Sequence, residues 1–272
     1  MTALHDDVLL SATGIEVAYG AAAKVKVLHG VDIAVRRGET VGIVGESGSG
    51  KTTLGRALLR LVDVSAGTIR FDGQDITHLP DSVVRPLRRR MQIIFQDPMA
   101  SLNPRHQIHR ILAEPLRLHG LARDEADIQR RIASVLDRMS LPSACLRRYP
   151  HELSGGQRQR VGIARAVLLE PEFVLADEIV SGLDVSTQAQ ALNLLKELSA
   201  ELGLAMAFIS HDLSVISSVC DRVYVMRHGR IVEQGLCKDV FSTPSHDYTR
   251  ELIAAIPLPA PISGWLDPSP RP

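Results

Sequence analysis

A glycine-rich segment, residues 45–53, has the composition and spacing of a loop that binds phosphate groups. It follows an apolar run at residues 40–44 and precedes residues 54–61, which have helical character. Between a strand and a helix, the pattern GxxxxGK[ST] is typical of a phosphate-binding loop, because glycines let successive N–H groups turn toward one anion. A flexible Gly/Ser turn is the alternative, which the flanking elements disfavour. The predicted binding residues are Gly45, Glu46, Ser47, Gly48, Ser49, Gly50, Lys51, Thr52 and Thr53.

Two side chains in this loop predict the ligand. Lys51 brings a full positive charge to the β- and γ-phosphates of a nucleotide, and the Thr52 hydroxyl can ligate Mg²⁺. We therefore predict that the chain binds a nucleoside triphosphate together with Mg²⁺.

Two acids, Asp177 and Glu178, follow the apolar residues 173–176. Open α/β sheets place ligand chemistry at the carboxyl ends of their strands. There Asp177 can hold Mg²⁺ through water, and Glu178 can polarise the attacking water. Acids that cap a helix or turn are the alternative, and the presence of the phosphate loop disfavours it.

Gln96 and His211 also stand where apolar runs end. The Gln96 amide can contact the γ-phosphate, the metal ion or the attacking water, and His211 can hydrogen-bond the γ-phosphate. Taken alone, a glutamine or histidine at a strand end is more often structural. Their predicted catalytic role therefore depends on the phosphate loop.

A second anion-binding segment is predicted at residues 153–157. Here a serine and two glycines stand directly before a helical stretch, so the helix N-terminus is accessible to an anion, although the segment has no lysine. Because residues 45–53 already serve the chain's own nucleotide, a nucleotide bound by a partner is the expected ligand. The residues are Ser154, Gly155, Gly156 and Gln157.

The hydrophobic pattern predicts an α/β fold. Residues 8–40 alternate as in antiparallel strands, and the strand–helix rhythm after residue 173 indicates a mainly parallel sheet. Between residues 97 and 150, apolar positions recur at helical spacing, which predicts an inserted helical lobe. Tyr19 ends an early strand, and spacing alone favours a core position over a surface that stacks on a base. Residues 257–272 are rich in proline and predict an extended or disordered tail.

Composition disfavours several classes of function. Lys+Arg and Asp+Glu both number 31 and aromatic residues make up 4%, so neither charge nor stacking surfaces favour nucleic acid. The three cysteines lack metal or disulfide spacing, as expected in a reducing compartment. No apolar run reaches the length of about 18 residues that a membrane span needs. Any membrane crossing would then belong to another chain.

Together these segments resemble the nucleotide-binding subunits of ABC transporters over residues 8–256. Residues 45–52 resemble the Walker A motif, Gln96 the Q-loop, and residues 173–178 the Walker B motif with its catalytic glutamate. Residues 153–157 are identical to the LSGGQ signature. Residues 181–184, including Asp184, resemble the D-loop, and His211 the switch histidine. The resemblance also makes Tyr19 the expected adenine-stacking residue.

This resemblance implies a RecA-like P-loop NTPase core with an N-terminal antiparallel β subdomain and a helical subdomain at about residues 97–165. It implies a head-to-tail dimer that holds two ATP molecules with Mg²⁺, each between Walker A of one subunit and LSGGQ of the other. Closure on ATP and reopening after hydrolysis would drive two transmembrane permease subunits at the cytoplasmic face of the inner membrane.

Residues 92–105, 149–161 and 184–190 are similar to importers of oligopeptides, dipeptides or nickel, as is a C-terminal extension at about residues 237–256. That subfamily implies a solute-binding protein outside the membrane as an indirect partner. Three residues depart from the family pattern. Ile179 and Asp247 replace prolines, and Gly182 replaces an alanine. We expect Ile179 to lower turnover without abolishing it.

The leading interpretation is an ATPase that drives import, and three other classes of function are disfavoured. A non-transport ABC ATPase that acts on DNA or ribosomes usually has two cassettes, long insertions or zinc cysteines, which are absent here. A P-loop kinase or GTPase is disfavoured by the LSGGQ segment and the lack of an NKxD motif. An exporter would more often be fused to its membrane domain.

Overall fold

The computed structural model describes residues 7–20, 25–182 and 184–255. Its strands are β1 (Val8–Tyr19), β2 (Val25–Arg36), β3 (Thr40–Val44), β4 (Ala66–Phe71), β5 (Gln74–Asp75), β6 (Met91–Ile94), β7 (Phe173–Asp177), β8 (Ala205–Ile209), β9 (Arg222–Arg227) and β10 (Arg230–Leu236). Its helices are α1 (Lys51–Leu58), α2 (Asp81–Leu87), α3 (Pro98–Ser101), α4 (Ile108–Leu118), α5 (Glu125–Arg138), α6 (Gly155–Val167), α7 (Val185–Leu202), α8 (Leu213–Val219), α9 (Cys237–Ser242) and α10 (Asp247–Ala254). The predicted tail at residues 257–272 lies outside the described residues.

One sheet carries the phosphate loop. Its strand order is β10-β9-β3-β8-β7-β6, and every neighbouring pair is parallel except β10 with β9. Strands β3, β7 and β8 are buried along their whole length, as expected for parallel strands covered on both faces. Because parallel strands end at the same edge, the residues that follow β3, β6, β7 and β8 converge there.

A second, antiparallel sheet has the order β2-β1-β4-β5. Its apolar side packs with α1 and one face of the parallel sheet into a single core, which includes Ile15, Leu54 and Leu175. The hydroxyl of Tyr224 on β9 ties the sheets together, since it donates to the Ala34 carbonyl at 3.0 Å and accepts from the Ala34 N–H at 3.1 Å. The predicted antiparallel N-terminal strands are confirmed.

Helices α3 to α6 occupy the chain between β6 and β7, and the described residues there include no strand. Their apolar residues, such as Leu112 and Ile132, join those on the other face of the parallel sheet, such as Val174, in one cluster. The helical lobe is therefore packed continuously with the α/β core. The predicted fold class, an α/β core with an antiparallel sheet and an inserted helical lobe, is confirmed.

Candidate active site

The loop between β3 and α1 has the backbone conformation that its glycines predict. Gly45, Gly48 and Gly50 have φ values of 148°, 80° and 103°, in the region that residues with a Cβ rarely adopt. A Cβ on Gly45 would also lie 2.1 Å from the carbonyl oxygen of Met226 on β9. The loop is thus pressed against the neighbouring strand, and α1 begins directly after it at Lys51.

Lys51 is 5% exposed and is held inside the loop. Its Nζ donates to the carbonyl oxygens of Gly45 at 2.8 Å and Glu46 at 2.9 Å. Burial lowers the pKa of Lys51, and the negative charges of Glu178 and Asp177 act in the opposite direction. The ammonium group therefore lies close to where the loop can receive phosphate.

Thr52 and Asp177 bring together two oxygen groups of the kind that Mg²⁺ prefers. The Thr52 hydroxyl donates to Asp177 Oδ1 at 3.2 Å. Burial raises the pKa of Asp177, the Thr52 hydrogen bond opposes this, and the charge of Glu178 adds to it. No group of three or more His, Cys, Asp or Glu side chains in the described ranges is arranged to hold a metal ion. These residues suit a metal ion that phosphate oxygens also coordinate.

Gln96, Glu178 and His211 meet at the carboxyl edge of the sheet, as predicted. Gln96 Nε2 donates to Glu178 Oε2 at 3.0 Å and to Ser181 Oγ at 3.2 Å. His211 Nδ1 lies 3.6 Å from the same Glu178 oxygen, and its side chain is 62% exposed. The glutamate carboxylate thus lies between a glutamine and a histidine from two other strand ends.

The backbone at Glu178 is unusual. Its φ is +47°, although it is not glycine, and its N–H donates to the Ile209 carbonyl of β8 at 3.0 Å. Ile179 is buried, so its side chain packs in the core directly after Glu178. Gly182 has φ +76°, which fits the backbone freedom predicted from its replacing an alanine.

A cavity of about 360 Å³ opens over the phosphate loop. Its lining includes Lys51, Thr52, Gln96 and Glu178, so the structure brings together residues from distant parts of the chain. Val27 on β2 also lines the cavity and was not predicted. A single valine in an alternating strand has no sequence signal that separates it from a core residue.

Tyr19 differs from the expectation drawn from spacing. It is 43% exposed, so the core position is wrong. Tyr19 is the last residue of β1 and pairs with Val25, directly beside residues 21–24, which are not described. The last residue of a strand can be exposed even when the alternating pattern assigns it to the buried face. Alternation alone does not show where the strand ends.

The signature segment forms the N-terminus of α6. Ser154 caps the helix, since its hydroxyl accepts from Gln157 N at 3.2 Å while Ser154 N donates to Gln157 Oε1 at 3.1 Å. Gly155 is the first helical residue, and both Ser154 and Gly155 are exposed. The predicted helix N-terminus is present, and two reciprocal hydrogen bonds join its serine and its glutamine.

This segment lines a separate cavity of about 460 Å³, together with Asp184. Asp184 caps α7, and hydrogen bonds from Ser186 and Thr187 hold the pKa of its carboxyl well below the usual range. No described residue lines both this cavity and the one over the phosphate loop. Leu183 of the predicted D-loop lies outside the described residues.

One contact to the phosphate loop was not predicted. The hydroxyl of Tyr248 on α10 accepts a hydrogen bond from Glu46 N at 2.9 Å. The sequence places Tyr248 in a C-terminal extension, 202 residues from Glu46. Without the fold, no pattern links the two segments.

Comparison with known proteins agrees with this geometry. A profile of the family described as ABC transporter matches residues 28–181. A putative peptide import ATP-binding protein of Brucella ovis is 52% identical over 254 residues, which cover 93% of this chain and 80% of the relative. The oligopeptide transport ATP-binding protein OppF of Streptococcus mutans is 47% identical, with coverage of 89% and 79%.

Solved structures show the same fold. The dimeric structure of MJ0796, a bacterial ABC transporter cassette, superposes with a TM-score of 0.77 at 27% identity and covers 84% of this chain and 99% of that one. The loop, strand-end acids and capped signature helix thus occur in a chain whose sequence and fold both match the same family. This chain therefore belongs to the ABC transporter family and is one of its ATP-hydrolysing subunits.

Proposed function

We propose that this chain hydrolyses ATP between its own phosphate loop and the signature segment of a second cassette, and that this turnover drives the import of peptides. One observation carries the first part. The helix N-termini of α1 and α6 line two cavities with no described residue in common. Each is therefore half of a site, and head-to-tail pairing with an identical or homologous cassette completes both halves.

In this proposal the residues from Gly45 to Thr53 wrap the phosphates. Lys51 Nζ replaces part of its hydrogen bonding to the Gly45 and Glu46 carbonyls by contacts with the β- and γ-phosphates. Because the ammonium group is buried, these charged hydrogen bonds are favourable. The Ser49 hydroxyl is buried and has no hydrogen-bond partner among the described residues, so it is a further donor inside the loop. Tyr19, at the exposed end of β1, stacks on the adenine ring.

Thr52, Gln96 and Asp177 are the proposed magnesium ligands, with Asp177 acting through water. When bound, Mg²⁺ neutralises charge on the β- and γ-phosphates. Thr52 and Asp177 are already joined by a hydrogen bond, so the chain holds two of these oxygen groups in place.

Glu178 is the proposed general base that orients and polarises the attacking water. Gln96 and His211 flank its carboxylate, at 3.0 Å and 3.6 Å from Oε2. Gln96 orients the carboxylate, and His211, which is largely exposed in one subunit, is free to contact the γ-phosphate.

The peptide substrate is proposed from the relatives. The Brucella ovis and Streptococcus mutans relatives are named for peptide import and oligopeptide transport, at 52% and 47% identity. No helix within the described ranges is long and apolar enough to cross a membrane. We propose that the chain works at the cytoplasmic face of the inner membrane on two permease subunits, which receive peptide from a solute-binding protein.

The composite site can be tested by mixing two inactive variants of the purified chain. Lys51→Ala removes the phosphate-loop charge, and Ser154→Arg blocks the signature segment. Each alone should lose ATP hydrolysis, whereas the mixture should regain about a quarter of it, because half of the dimers hold one intact composite site. A mixture as inactive as its components, when the unmodified chain alone is active, would contradict a composite site between two copies of this chain.

A further inference from the structure

The C-terminal extension reaches the phosphate loop through Tyr248. The side chain of Tyr248 is fully buried, although it lies on the last described helix, α10. Its hydroxyl accepts the hydrogen bond from Glu46 N at 2.9 Å. The ring of Tyr248 is fixed by burial, and its hydroxyl bonds to the main chain of the phosphate loop. The side chain therefore restrains the conformation of that loop.

Both main-chain polar groups of Glu46, its N–H and its carbonyl, form hydrogen bonds. Its N–H bonds to Tyr248, while its carbonyl accepts from Lys51 Nζ at 2.9 Å and from Ser49 N at 3.2 Å. Because Lys51 and Ser49 both belong to the part of the loop that wraps phosphate, a shift at Glu46 would move them as well. The Tyr248 contact therefore acts on the geometry of the whole loop.

Tyr248 is itself held in place by β9 and β10. The guanidinium of Arg227 lies 4.6 Å from the centre of the tyrosine ring. At the start of α10, Glu233 of β10 accepts hydrogen bonds from Ser245 N at 2.7 Å, Ser245 Oγ at 2.8 Å and His246 N at 3.1 Å. These contacts fix the helix that carries Tyr248 to the sheet.

Asp247 also fits this arrangement. It is the first residue of α10, a position where the proline common in the subfamily is well tolerated and where an acid favours the helix dipole. Asp247 forms an ion pair with Arg250 one turn later. The substitution thus preserves the helix start that presents Tyr248.

We propose that Tyr248 is a positioning residue for ATP binding, whose hydroxyl fixes the Glu46 peptide and so pre-arranges the phosphate loop. The proposal rests on the assignment of residues 45–53 as the ATP site. A loop already in its binding geometry loses less entropy when the triphosphate arrives, so the effect is on affinity. Tyr248 does not touch the reacting atoms, so hydrolysis of bound ATP should be little changed.

The test compares three variants of the full-length chain. Tyr248→Phe removes only the hydroxyl and keeps the ring over Arg227. Tyr224→Phe is the matched control, because Tyr224 is also buried and its hydroxyl also bonds to main-chain groups, at Ala34 rather than in the loop. Glu233→Gln weakens the attachment of α10 while leaving Tyr248 intact. The measurements are the Kd for ATP by calorimetry, KM and kcat for hydrolysis, and Tm.

We expect Tyr248→Phe to raise Kd and KM for ATP about three- to tenfold, the loss typical of one hydrogen bond, with kcat within about twofold of the unmodified chain. Glu233→Gln should raise KM less, and Tyr224→Phe should leave KM unchanged while lowering Tm. If Tyr248→Phe lowers Tm without changing Kd or KM, or if both tyrosine variants raise KM equally, the positioning role is wrong. Lys51→Ala distinguishes failure of the positioning role of Tyr248 from failure of the ATP-site assignment. Full ATP binding and hydrolysis by that variant would refute the assignment of residues 45–53 as the ATP site.

Discussion

Gln96 and Glu178 are joined by a hydrogen bond of 3.0 Å between Nε2 and Oε2. The two residues follow adjacent parallel strands, β6 and β7, and Gln96 also donates a hydrogen bond to Oγ of Ser181, the first residue of the predicted D-loop. The position of the Glu178 carboxylate is thus tied to the segment that leads into the helical lobe. A movement of that lobe would therefore shift the Glu178 carboxylate through its hydrogen bond to Gln96.

Replacement of Glu178 by glutamine should remove hydrolysis while preserving ATP binding. The amide keeps the hydrogen-bonding shape but cannot accept the proton of water, so kcat should fall about 10²- to 10⁴-fold. Steady-state hydrolysis and calorimetric ATP binding measure the two effects. Glu201→Gln, at an exposed residue of α7 paired with Arg138, is the control. Retention of most of the activity by Glu178→Gln would rule out Glu178 as the base.

Asp177→Asn should make the nucleotide-free chain more stable and inactive. Burial raises the pKa of Asp177, so its charged form is disfavoured in the folded chain. The neutral amide still accepts from Thr52. The expected gain is small, about 0.5–1 kcal/mol, because the positive charges of Arg56 and Lys51 stabilise the carboxylate and offset part of its burial cost. The free energy of unfolding from urea titrations measures it.

The same variant gives a pH test with a defined sign. Since the folded chain binds the Asp177 proton more readily than the unfolded chain, the destabilisation by the carboxylate is fully present above the raised pKa. It disappears as the pH falls through that value. The stability advantage of Asp177→Asn should therefore be largest near neutral pH and shrink in acid. An advantage that grows as the pH falls would contradict the burial argument.

Ile179→Pro should raise turnover but lower stability. A following proline keeps Glu178 out of the right-handed helical region, which agrees with its φ of +47°. We expect kcat to rise about two- to fivefold, which corresponds to about 0.4–1 kcal/mol of activation free energy. Loss of the buried isoleucine side chain should cost about 1–2 kcal/mol of unfolding free energy. ATP hydrolysis and thermal unfolding measure both. No increase in kcat would show that isoleucine does not limit turnover.

Alanine substitutions at two glycines of the loop compare the free-energy cost of a steric clash with the cost of a positive φ. Both Gly45 and Gly48 have positive φ, but only Gly45 faces a backbone oxygen, Met226 O, where a Cβ would stand. Gly48→Ala should cost about 1–2 kcal/mol of unfolding free energy through its φ alone. Gly45→Ala should cost clearly more, because the loop must also move off β9. Equal losses in denaturant titrations would mean that the contact with β9 is unimportant.

Much of the fold and of the phosphate site could be predicted from the sequence, because the residues of that site follow strands of the parallel sheet. Strand ends in a parallel sheet meet at one edge, so residues 45–53, Gln96, Asp177, Glu178 and His211 could be brought together without a structure. Tyr19, Val27 and Tyr248 could not be assigned this way. Their roles depend on which strand ends are exposed and on contacts between segments far apart in the chain. The local hydrophobic pattern gives no information about either.

The most direct test of the account is uptake of a labelled oligopeptide by host cells that carry either this chain or its Lys51→Ala variant. Uptake should require the unmodified chain and should be lost with Lys51→Ala, although the variant is present at the same level. Equal uptake by the two strains would contradict peptide import driven by this ATP site and would direct the search to nickel or another small solute.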